Sequence, residues 1–486
     1  MRLSELFREV EFDGSIKNDA DINLVTDDSR LVRPGSLFVC IRHRSFDGHT
    51  AALDALASGA AAVVTQDRLG LENELHVADS RSTYARLCAA LCNHPERKLR
   101  MIGVTGTNGK TTVTTLIRNI LSDSGTKTLL TGTVCNRLGD ENLPSGLTTP
   151  KPPELYSLLS RAVSQRCKAC VMEASSQALA QGRLEGIDFD AAVFTNITRD
   201  HLDYHGTFEN YISAKKKLFE HSALSIVNLD DPRAGEIIAA SKGKIITFST
   251  VLDCADYTAK NISLLSDCVR FELVSKGHIE HIEFASPGLF SVSNAMAAAV
   301  CAINLGIEPK DAAQSLAKSK SVCGRLERVE CSAPYSVIID YAHTPDGLEQ
   351  VLRALRPSCR GKLIVLFGCG GDRDRTKRPL MGAAACKYAD KIIVTSDNPR
   401  SEDPIKIIGD ILKGTDKKRR NLFVEPDRRK AIALALKTAE PGDAVLLAGK
   451  GHEKYQLIGG EKLPLDERET VRKILGLPHD TGRKKQ

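Results

Sequence analysis

The eight residues Thr105–Thr112 constrain the fold of this chain more than any other segment. They read TGTNGKTT and lie between an apolar run, Met101–Val104, and a helical pattern that begins at Lys110. Glycines let the backbone pass close to an anion, and the first turn of the following helix presents free N–H groups to it. This strand–turn–helix context predicts a phosphate-binding loop in an α/β domain with a mostly parallel sheet.

The loop departs by one residue from the usual phosphate-loop pattern, because Val104 stands where the first glycine of GxxxxGK[ST] belongs. Lys110 can still bridge the β- and γ-phosphates, and the Thr111 hydroxyl can ligate Mg²⁺. A plain glycine-rich turn is the alternative interpretation. We predict that seven residues bind nucleotide phosphates: Gly106, Thr107, Asn108, Gly109, Lys110, Thr111 and Thr112.

The chain length of 486 residues predicts more than one domain. A single hydrophobic core stops growing at about 250–300 residues. Patterning divides the chain into an N-terminal, a central and a C-terminal domain, at residues 1–97, 98–328 and 329–486. The second and third alternate strands and helices, which predicts an α/β protein with a central phosphate-loop-type, mostly parallel sheet and a C-terminal Rossmann-like, doubly wound domain. Short alternating strands between Asp256 and Phe284 indicate an antiparallel addition to the central sheet.

Composition limits the partners of the chain. The formal net charge of +6 is mild for this length, part of it lies in the tail 483–485, and small anionic substrates would account for it. Aromatic residues make up 5% and Trp is absent, which argues against a stacking surface for single-stranded nucleic acid. No apolar run reaches the roughly 18 residues of a membrane span. We expect a monomer with no nucleic-acid partner and no membrane span.

The 14 cysteines are irregularly spaced. One CxxC motif occurs at Cys167 and Cys170, with no second CxxC and no nearby CxxH. Buried thiols in a reducing cytosol are favoured over a zinc or redox site. The N-terminus also lacks the apolar stretch of about 7–15 residues that a signal peptide requires. We therefore expect a cytoplasmic protein.

Polar residues follow the predicted strands after the phosphate loop. Glu173 ends an apolar strand, where a carboxylate suits a Mg²⁺ ligand, although strand-end glutamates are often simply solvated. His201 lies in the loop Thr195–Gly206 and could ligate a metal, orient a phosphate or be a surface residue. By composition, Ala214–Lys217 is typical of an exposed basic helix face.

Four polar clusters follow predicted strands of the third block: Asp340–His343, Gly368–Asp374, Asp397–Arg400 and Gly449–Glu453. In doubly wound sheets, ligands bind beyond the carboxyl ends of the strands. These clusters therefore predict a second ligand site.

Taken together, these segments resemble the Mur ligases, the family that builds the peptide stem of bacterial peptidoglycan. The resemblance extends over nearly the whole chain and is greatest to the diaminopimelate-adding members. It rests on eight motifs in this order: TGTNGKTT at 105–112, MEASS at 172–176, FTNITRDHLDYHGT at 194–207, GRLE at 324–327, DYAHTPDGL at 340–348, GCGGDRDRTKRPLM at 368–381, DNPRSEDP at 397–404 and GKGHEKYQ at 449–456.

The resemblance implies an ATP-dependent ligase that uses Mg²⁺. Such an enzyme joins the D-Glu side-chain carboxylate of UDP-N-acetylmuramoyl-L-alanyl-D-glutamate to an amine of meso-2,6-diaminopimelate. ATP first phosphorylates the carboxylate, because oxide is too poor a leaving group for direct attack. The amine then displaces phosphate, and positioning with charge neutralisation supplies most of the catalysis.

The resemblance also implies roles at the nucleotide. Lys110, Glu173, His201 and Lys215 would be catalytic, and Thr111, Glu173 and His201 would surround Mg²⁺. Lys215 would be modified to N6-carboxylysine, a carbamate able to hold a second Mg²⁺. Further nucleotide contacts would come from Asn294, Arg325, Asp340 and His343.

The remaining implied contacts are with the acceptor and the amino acid. Residues matching the UDP contacts are Asp27, Ser29, Arg44, Ser45 and Phe46. Residues matching the muramoyl-dipeptide contacts are Thr148, Thr149, Ser175, Gln181 and Arg183. Residues matching the diaminopimelate pocket are Arg373, Asp397, Asn398, Pro399, Arg400, Gly449 and Glu453. Two departures, Gln177 in place of His and Leu147 in place of Asn, affect local substrate contacts.

Arg400 is the residue from which we predict which amino acid the enzyme adds. Diaminopimelate differs from lysine by a distal carboxylate, with which a guanidinium can form a bidentate pair. Bound lysine would leave that guanidinium desolvated without its anion. An Asx-Pro turn with a surface arginine is the alternative interpretation of DNPR. We predict diaminopimelate over lysine.

Three other functions remain open at this point. Another ligase of the same superfamily, such as folylpolyglutamate synthetase, would not depend on a UDP-muramoyl acceptor. A nucleotide switch would hydrolyse ATP slowly without any acceptor. A nucleic-acid-binding ATPase would need a basic and aromatic stripe, which the sequence does not show.

Overall fold

The computed structural model describes residues 1–43, 46–416 and 419–478. Two predicted UDP contacts, Arg44 and Ser45, and the basic tail 483–485 lie outside the described residues. Strands of the described chain form three separate sheets and one hairpin. No helix in these ranges is both long and apolar enough to cross a membrane.

The N-terminal block contains a four-stranded parallel sheet of order β1–β2–β3–β4. Its strands are β1 Leu24–Thr26, β2 Ser36–Val39, β3 Ala60–Thr65 and β4 Glu74–His76, and its helices are α1 Leu3–Leu6, α2 Ala52–Ala57 and α3 Ser80–Leu91. Short 3₁₀ helices span Ser29–Leu31, Gly48–Ala51 and Pro95–Lys98. Its apolar core is continuous with that of the central block, since Leu6 and Leu87 pack in one cluster with Leu155 and Tyr156.

An eleven-stranded sheet forms the central block, with the order β15-β14-β13-β12-β11-β10-β5-β9-β6-β7-β8. The strands are β5 Arg100–Thr105, β6 Thr128–Thr131, β7 Asn136–Leu138, β8 Glu141–Leu143, β9 Ala169–Glu173, β10 Ala191–Phe194, β11 Leu224–Asn228, β12 Lys244–Ser249, β13 Tyr257–Leu264, β14 Val269–Ser275 and β15 His278–Phe284. Neighbouring strands from β13 to β6 pair in parallel. Strands β13, β14 and β15 pair antiparallel, as the sequence predicts.

Helices cover both faces of the central sheet. They are α4 Lys110–Asp123, α5 Pro152–Ser164, α6 Ser176–Ala180, α7 Leu202–His205, α8 Phe208–Glu220, α9 Ala234–Ala240, α10 Leu289–Asn304 and α11 Pro309–Lys318. The alanine-rich α10 is buried along almost its whole length against α4 and the sheet. Because β10, β5 and β9 are adjacent and parallel, the segments after them meet at one edge. That edge carries the phosphate loop.

A six-stranded sheet of order β16-β17-β21-β18-β19-β20 forms the C-terminal block. Its strands are β16 Glu327–Arg328, β17 Ser336–Asp340, β18 Leu363–Phe367, β19 Lys391–Val394, β20 Leu422–Val424 and β21 Ala444–Ala448, followed by the hairpin β22 Tyr455–Ile458 and β23 Glu461–Pro464. Its helices are α12 Pro345–Leu355, α13 Lys377–Tyr388, α14 Pro404–Leu412, α15 Arg428–Lys437 and α16 Glu467–Ile474, with a 3₁₀ turn at Arg356–Ser358.

Separate apolar clusters on the two faces of this sheet confirm the doubly wound prediction. One cluster contains Leu348, Met381 and Ile407 from α12, α13 and α14, and the other contains Ile432 and Val471 from α15 and α16. All pairs except β16–β17 are parallel. The carboxyl ends of β17, β21, β18 and β19 therefore face one direction and carry the four predicted polar clusters.

Candidate active site

Two glycines give the phosphate loop its shape. A Cβ at Gly106 would lie 1.9 Å from Thr195 Oγ1, and a Cβ at Gly109 would lie 2.5 Å from Asn294 Oδ1. Gly109 also has a φ of 87°, a conformation that favours glycine. The loop is therefore packed so closely against the neighbouring segments that both positions require glycine.

Lys110 is the first residue of α4, and its side chain folds back over the phosphate loop. Its Nζ donates hydrogen bonds to the carbonyl oxygens of Gly106, at 2.8 Å, and Thr107, at 2.9 Å. Burial lowers the pKa of Lys110, while the carboxylates of Glu173 and Asp200 act in the opposite direction. The ammonium is thus held beside the free N–H groups at the start of α4, where an anion would lie.

Glu173 is 1% exposed at the end of β9, so the solvated strand-end interpretation is wrong. Its Oε2 accepts hydrogen bonds from Thr111 Oγ1, at 3.0 Å, and from Thr133 Oγ1, at 3.0 Å. The backbone N–H of Thr133 donates to Oε1 at 2.7 Å. Arg325 Nη2 donates to Thr111 Oγ1 at 3.0 Å, which brings a residue before the C-terminal block to the phosphate loop.

His201 follows β10 and has a positive φ of 54°. Burial lowers its pKa to about 4, although Asp200, 3.5 Å away, acts to raise it. Asp200 is buried, and its pKa is about 2 because His201, His343 and Lys377 outweigh the effect of burial. His343 Nε2 lies 4.0 Å from Asp200 Oδ2. Asp200 therefore links His201 to the C-terminal block.

The structure corrects the prediction for the basic run 214–217. Lys215 is 1% exposed, whereas the Lys216 side chain is 31% exposed and Lys217 is exposed. Lys215 Nζ donates to Gly106 O at 2.7 Å and lies 4.7 Å from the ring centroid of Tyr211. The run is therefore not a uniformly exposed face, because its first lysine points inward beneath the phosphate loop.

The donor set at the loop fits Mg²⁺. Thr111 and Glu173 would supply oxygen ligands, a role that stays a prediction, and Mg²⁺ usually binds one or two carboxylates together with waters and substrate phosphates. His201 and Lys215 line the same cavity. Among the described residues, no group of three His, Cys, Asp or Glu side chains is arranged to hold a metal by itself. The roles of His201 and of Lys215 as a carbamate stay predictions.

Cys167 and Cys170, the CxxC pair, are both buried as free thiols, as the favoured interpretation predicts.

A cavity of about 540 Å³ lies between the central and C-terminal blocks. The phosphate loop, Glu173 and Lys215 line it from one side, and Arg325 and His343 line it from the other. The cavity is also lined by the predicted nucleotide contacts Asn294 and Asp340 and the predicted dipeptide contacts Thr148, Thr149, Ser175 and Arg183. Most predicted nucleotide and dipeptide contacts therefore share one space.

Asp340 differs from the expectation of a free nucleotide contact. Its Oδ2 accepts from the Leu326 backbone N–H and its Oδ1 from that of Ala342, both at 2.7 Å. Burial raises its pKa despite the opposing effect of nearby Arg325. Asp340 thus holds the backbone at Leu326, in the segment that joins the central and C-terminal blocks. Its role as a nucleotide contact stays a prediction.

The predicted dipeptide contacts form a hydrogen-bonded cluster. Thr149 Oγ1 donates to the Glu173 carbonyl at 2.6 Å and lies 3.0 Å from Ser175 Oγ. Arg183 donates from Nη1 to the Thr149 carbonyl at 2.8 Å and from Nη2 to Gln181 Oε1 at 2.6 Å. Ser175 and Arg183, which both follow β9, therefore meet Thr149 of the loop before α5, and the three lie beside Glu173.

The predicted UDP contacts that the structure describes, Asp27, Ser29 and Phe46, lie in the N-terminal block and do not line the cavity of about 540 Å³. Asp27 Oδ1 accepts from Tyr84 OH at 3.2 Å, and Ser29 begins a 3₁₀ helix directly afterwards. Phe46 is exposed. Asp27 Oδ2 lies 3.8 Å from Lys151 Nζ, which connects this region with the loop that carries the dipeptide contacts.

Arg400 is half-buried, so it is not the surface arginine of the alternative interpretation. It has a φ of 55°, and its Nη1 donates to Gly371 O at 2.7 Å. Burial and the nearby Arg373 guanidinium lower the pKa of Arg400. Within the described residues its Nη2 and Nε donate no hydrogen bond, which leaves them available to an anion. Pro399, the residue before it, is buried.

The other predicted amino-acid contacts converge beside Arg400. Asn398 Nδ2 donates to Glu453 Oε2 at 2.9 Å, and a Cβ at Gly449 would lie 3.5 Å from Asp397 Oδ2. Glu453 Oε1 accepts from the hydroxyl of Tyr341, which lines the cavity of about 540 Å³. The two predicted ligand sites therefore adjoin each other.

Sequence reasoning missed three residues of this region. Thr133 donates hydrogen bonds to both carboxylate oxygens of Glu173. Asp200 lies beside two histidines, His201 and His343. Lys450 donates hydrogen bonds to Asn398 and Glu453. Thr133 follows β6, the neighbour of β9, so strand order could have indicated it.

A phosphate loop that faces a doubly wound domain across a cavity of ionisable side chains defines a multidomain nucleotide-binding enzyme. Three family models match the chain: "Mur ligase family, catalytic domain" at residues 21–89, "Mur ligase middle domain" at 104–302 and "Mur ligase, glutamate ligase domain" at 324–451. The chain therefore belongs to the Mur ligase family.

Individual relatives match over nearly the full length. The UDP-N-acetylmuramoyl-L-alanyl-D-glutamate–2,6-diaminopimelate ligase of Caldanaerobacter subterraneus subsp. tengcongensis is 43% identical over 480 residues, covering 98% of this chain and 99% of that protein. A solved structure of an enzyme of the same name is 35% identical, with a TM-score of 0.71 and coverage of 98% and 99%. MurF ligase from Thermotoga maritima in complex with ADP is 19% identical with a TM-score of 0.60, covers 93% of this chain and 96% of its own, and shows the shared fold.

Proposed function

We propose that this Mur ligase adds meso-2,6-diaminopimelate to UDP-N-acetylmuramoyl-L-alanyl-D-glutamate, with cleavage of ATP to ADP and phosphate. One observation carries the proposal: the phosphate loop and Glu173 share a cavity with the dipeptide cluster, and the Arg400 pocket adjoins it. The names of the full-length relatives agree with this acceptor and amino acid.

In the first step, an oxygen of the D-Glu side-chain carboxylate attacks the γ-phosphorus of ATP, the bond to the β,γ-bridging oxygen breaks, and ADP leaves. The N–H groups at the start of α4 and the Lys110 ammonium bind the phosphates and neutralise the charge that develops on them. Arg325 supplies a second cation beside Thr111. Thr111 and Glu173 would hold Mg²⁺, which when bound neutralises charge on the β- and γ-phosphates.

In the second step, the neutral amine attacks the acyl carbon, a tetrahedral intermediate forms, the nitrogen loses one proton to solvent, and the C–O bond to phosphate breaks so that phosphate leaves. Arg400 and Arg373 provide guanidinium groups for carboxylates, and Asp397 and Glu453 provide carboxylates for an ammonium group. This combination matches an amino acid with two charged ends. The second step requires both sites to be occupied together, and Tyr341 lies between them.

We propose, in addition, the domain limits 1–97, 98–328 and 329–486, a monomer, and cytoplasmic location. The three separate sheets support the domain division, although β16 at Glu327–Arg328 pairs with the C-terminal sheet just before the proposed limit.

The direct test combines ATP, Mg²⁺, the UDP-muramoyl dipeptide and diaminopimelate, and measures ADP release and product mass. We expect a product heavier than the acceptor by one diaminopimelate minus water. Slow ATP hydrolysis that ignores the acceptor would instead indicate a nucleotide switch. Ligation of an acceptor without the UDP-muramoyl group would favour a folylpolyglutamate-type ligase.

Arg400→Met is expected to reduce kcat/KM for diaminopimelate by about 30-fold or more, because truncating one partner of a buried charge pair costs about 2–5 kcal/mol. Turnover of lysine, which lacks the distal carboxylate, should change much less. Steady-state kinetics with both amino acids measures the ratio, which should fall toward one.

The matched control is Arg375→Met, since Arg375 lies in the same loop between β18 and α13 as Arg373 but is exposed and paired with Glu402 at 3.1 Å. It should keep the wild-type preference. Equal turnover of lysine and diaminopimelate by the wild type would refute the assigned role of Arg400.

A further inference from the structure

Lys450 is a lysine with no exposed side-chain surface, two residues beyond the carboxyl end of β21. Its Nζ donates three hydrogen bonds: to Asn398 Oδ1 at 2.5 Å, to Tyr455 O at 2.7 Å and to Glu453 Oε2 at 2.9 Å. An ammonium group has three N–H donors and no acceptor. All three donors of Lys450 are therefore committed within the protein, so Lys450 has none left for a substrate.

The acceptors of these hydrogen bonds are residues of the proposed amino-acid pocket. Asn398 Oδ1 also accepts from the Leu457 backbone N–H at 2.9 Å, and Asn398 Nδ2 donates to Glu453 Oε2 at 2.9 Å. The amide of Asn398 can thus adopt only one orientation. Without Lys450, neither the amide nor the Glu453 carboxylate would keep its strongest partner.

Lys450 also supplies the counter-charge of the pocket. Its Nζ lies 3.3 Å from Asp397 Oδ1 and 2.9 Å from Glu453 Oε2. Burying two carboxylates without a cation costs free energy, because the charged forms lose hydration. Burial acts to raise the pKa of Asp397, and Lys450 and Arg428 outweigh it, so the pKa is lowered. Lys450 thereby favours the anionic form of Asp397, which can then accept hydrogen bonds from an ammonium group.

A second buried cation, Arg428, donates hydrogen bonds at the carboxyl ends of β19 and β21, the two strands whose following loops form this pocket. Arg428 Nη1 donates to Ser396 O at 3.3 Å and its Nη2 to Ala448 O at 2.8 Å. Its Nε donates to Glu467 Oε1 at 2.8 Å, and both side chains of this pair are fully buried. The loops after β19 and β21 therefore have a fixed separation, on which the contacts of Lys450 depend.

We infer that Lys450 is a positioning residue for amino-acid binding, which orients Asn398 and Glu453 and supplies the counter-charge of the pocket without touching the substrate. The inference rests on the proposed ligase function and deepens it. Phosphorylation of the acceptor does not involve the pocket, so Lys450 should govern the second step and leave the first unchanged.

The test is Lys450→Met, which keeps the length of the side chain and removes all three donors and the charge. We expect KM for diaminopimelate to rise by about tenfold or more, since small misplacement of binding groups can cost about 10²-fold. KM for ATP should stay within about twofold. Positional isotope exchange in ¹⁸O-labelled ATP, measured with acceptor and without amine, reports the first step and should also stay close to the wild-type rate.

Lys454→Met is the matched control, because Lys454 lies four residues away, is exposed and pairs with Asp466 at 3.4 Å. It should change neither KM. Lys450→Gln, with two N–H donors and no charge, provides a second variant if Lys450→Met does not fold, and it should also raise KM for diaminopimelate.

Three results would overturn the inference. An unchanged KM for diaminopimelate in a folded variant would show that Lys450 does not position the pocket. Equal loss of isotope exchange and ligation, or failure of both variants to fold, would show a purely structural role. A wild-type enzyme that does not ligate diaminopimelate would refute the proposed function itself, a result read from the wild type alone.

Discussion

Lys110→Met is expected to reduce acceptor-dependent ADP release by about 10²–10³-fold, the loss typical when one preorganised charge-stabilising donor is removed from an active site. The Lys110 ammonium is held at the loop by the carbonyls of Gly106 and Thr107. Charge develops on the transferring phosphoryl group, so a cation there stabilises the transition state more than bound ATP. The loss should therefore appear mainly in kcat, with a smaller decrease in ATP affinity.

Steady-state kinetics and ATP titration by calorimetry measure the two effects separately. Lys127→Met is the matched control, because Lys127 is an exposed lysine of the same block whose Nζ donates to Gln165 Oε1. It should retain wild-type activity. A Lys110→Met enzyme with activity within threefold of the wild type would refute phosphate neutralisation by Lys110.

Sequence patterns predicted the helices and strands well where an apolar run has a clear boundary. The sequence predicts a strand over Ala169–Glu173 and a helix over Pro345–Leu355, and both elements have these limits in the structure. The strand is apolar and buried throughout, and the helix begins with a proline after the N-cap Thr344. Such boundaries are local properties of the chain, so the sequence alone contains them.

Patterns failed where strands are polar and exposed. The hairpin of β22 and β23 has no apolar run, and all four residues of β23 are exposed. Strand β8 is similar, since Glu141–Leu143 contains no buried residue. These strands exist because of backbone pairing with neighbours, a tertiary interaction that hydrophobic periodicity does not report.

At the candidate active site, amino-acid composition alone does not predict that two lysines, Lys215 and Lys450, are buried. Lys215 shares the buried face of α8 with Tyr211, Leu218 and Phe219, so helical spacing could have indicated its burial. Lys450, in contrast, lies in a loop after a strand, where no helical spacing of apolar residues could indicate that it is buried. Lysines are almost never fully buried unless paired, and Lys450 is paired both with Glu453 and Tyr455 of its own segment and with Asn398, which follows a different strand. Only the assembled fold shows it.

The environment of Lys215 favours the modification that the family resemblance implies. Burial and the nearby Lys110 ammonium lower the pKa of Lys215 well below its usual value. Its amine is therefore neutral over a wider pH range and can attack CO₂: the N–C bond forms, one proton leaves, and a carbamate anion results. That anion would lie beside Lys110 and would offset the charge of the neighbouring cations.

Lys215→Met is expected to reduce ligation by about 10²-fold or more, since it removes both the buried amine and any carbamate at the phosphate loop. In wild-type enzyme equilibrated with ¹³CO₂, carbon-13 NMR should show one carbamate signal that Lys215→Met lacks. At fixed CO₂ pressure the signal should grow as the pH rises through the lowered pKa, because only the neutral amine reacts.

Lys216→Met is the matched control, since the adjacent Lys216 is partly exposed and lies 3.9 Å from Glu236. It should keep both the carbamate signal and the activity. The two readouts separate the possible roles of Lys215. Loss of activity in Lys215→Met without any carbamate signal in the wild type would show that the amine itself supports the loop through Gly106. An active Lys215→Met enzyme would exclude both roles, and the burial of this lysine would then serve only to pack α8 beneath the phosphate loop.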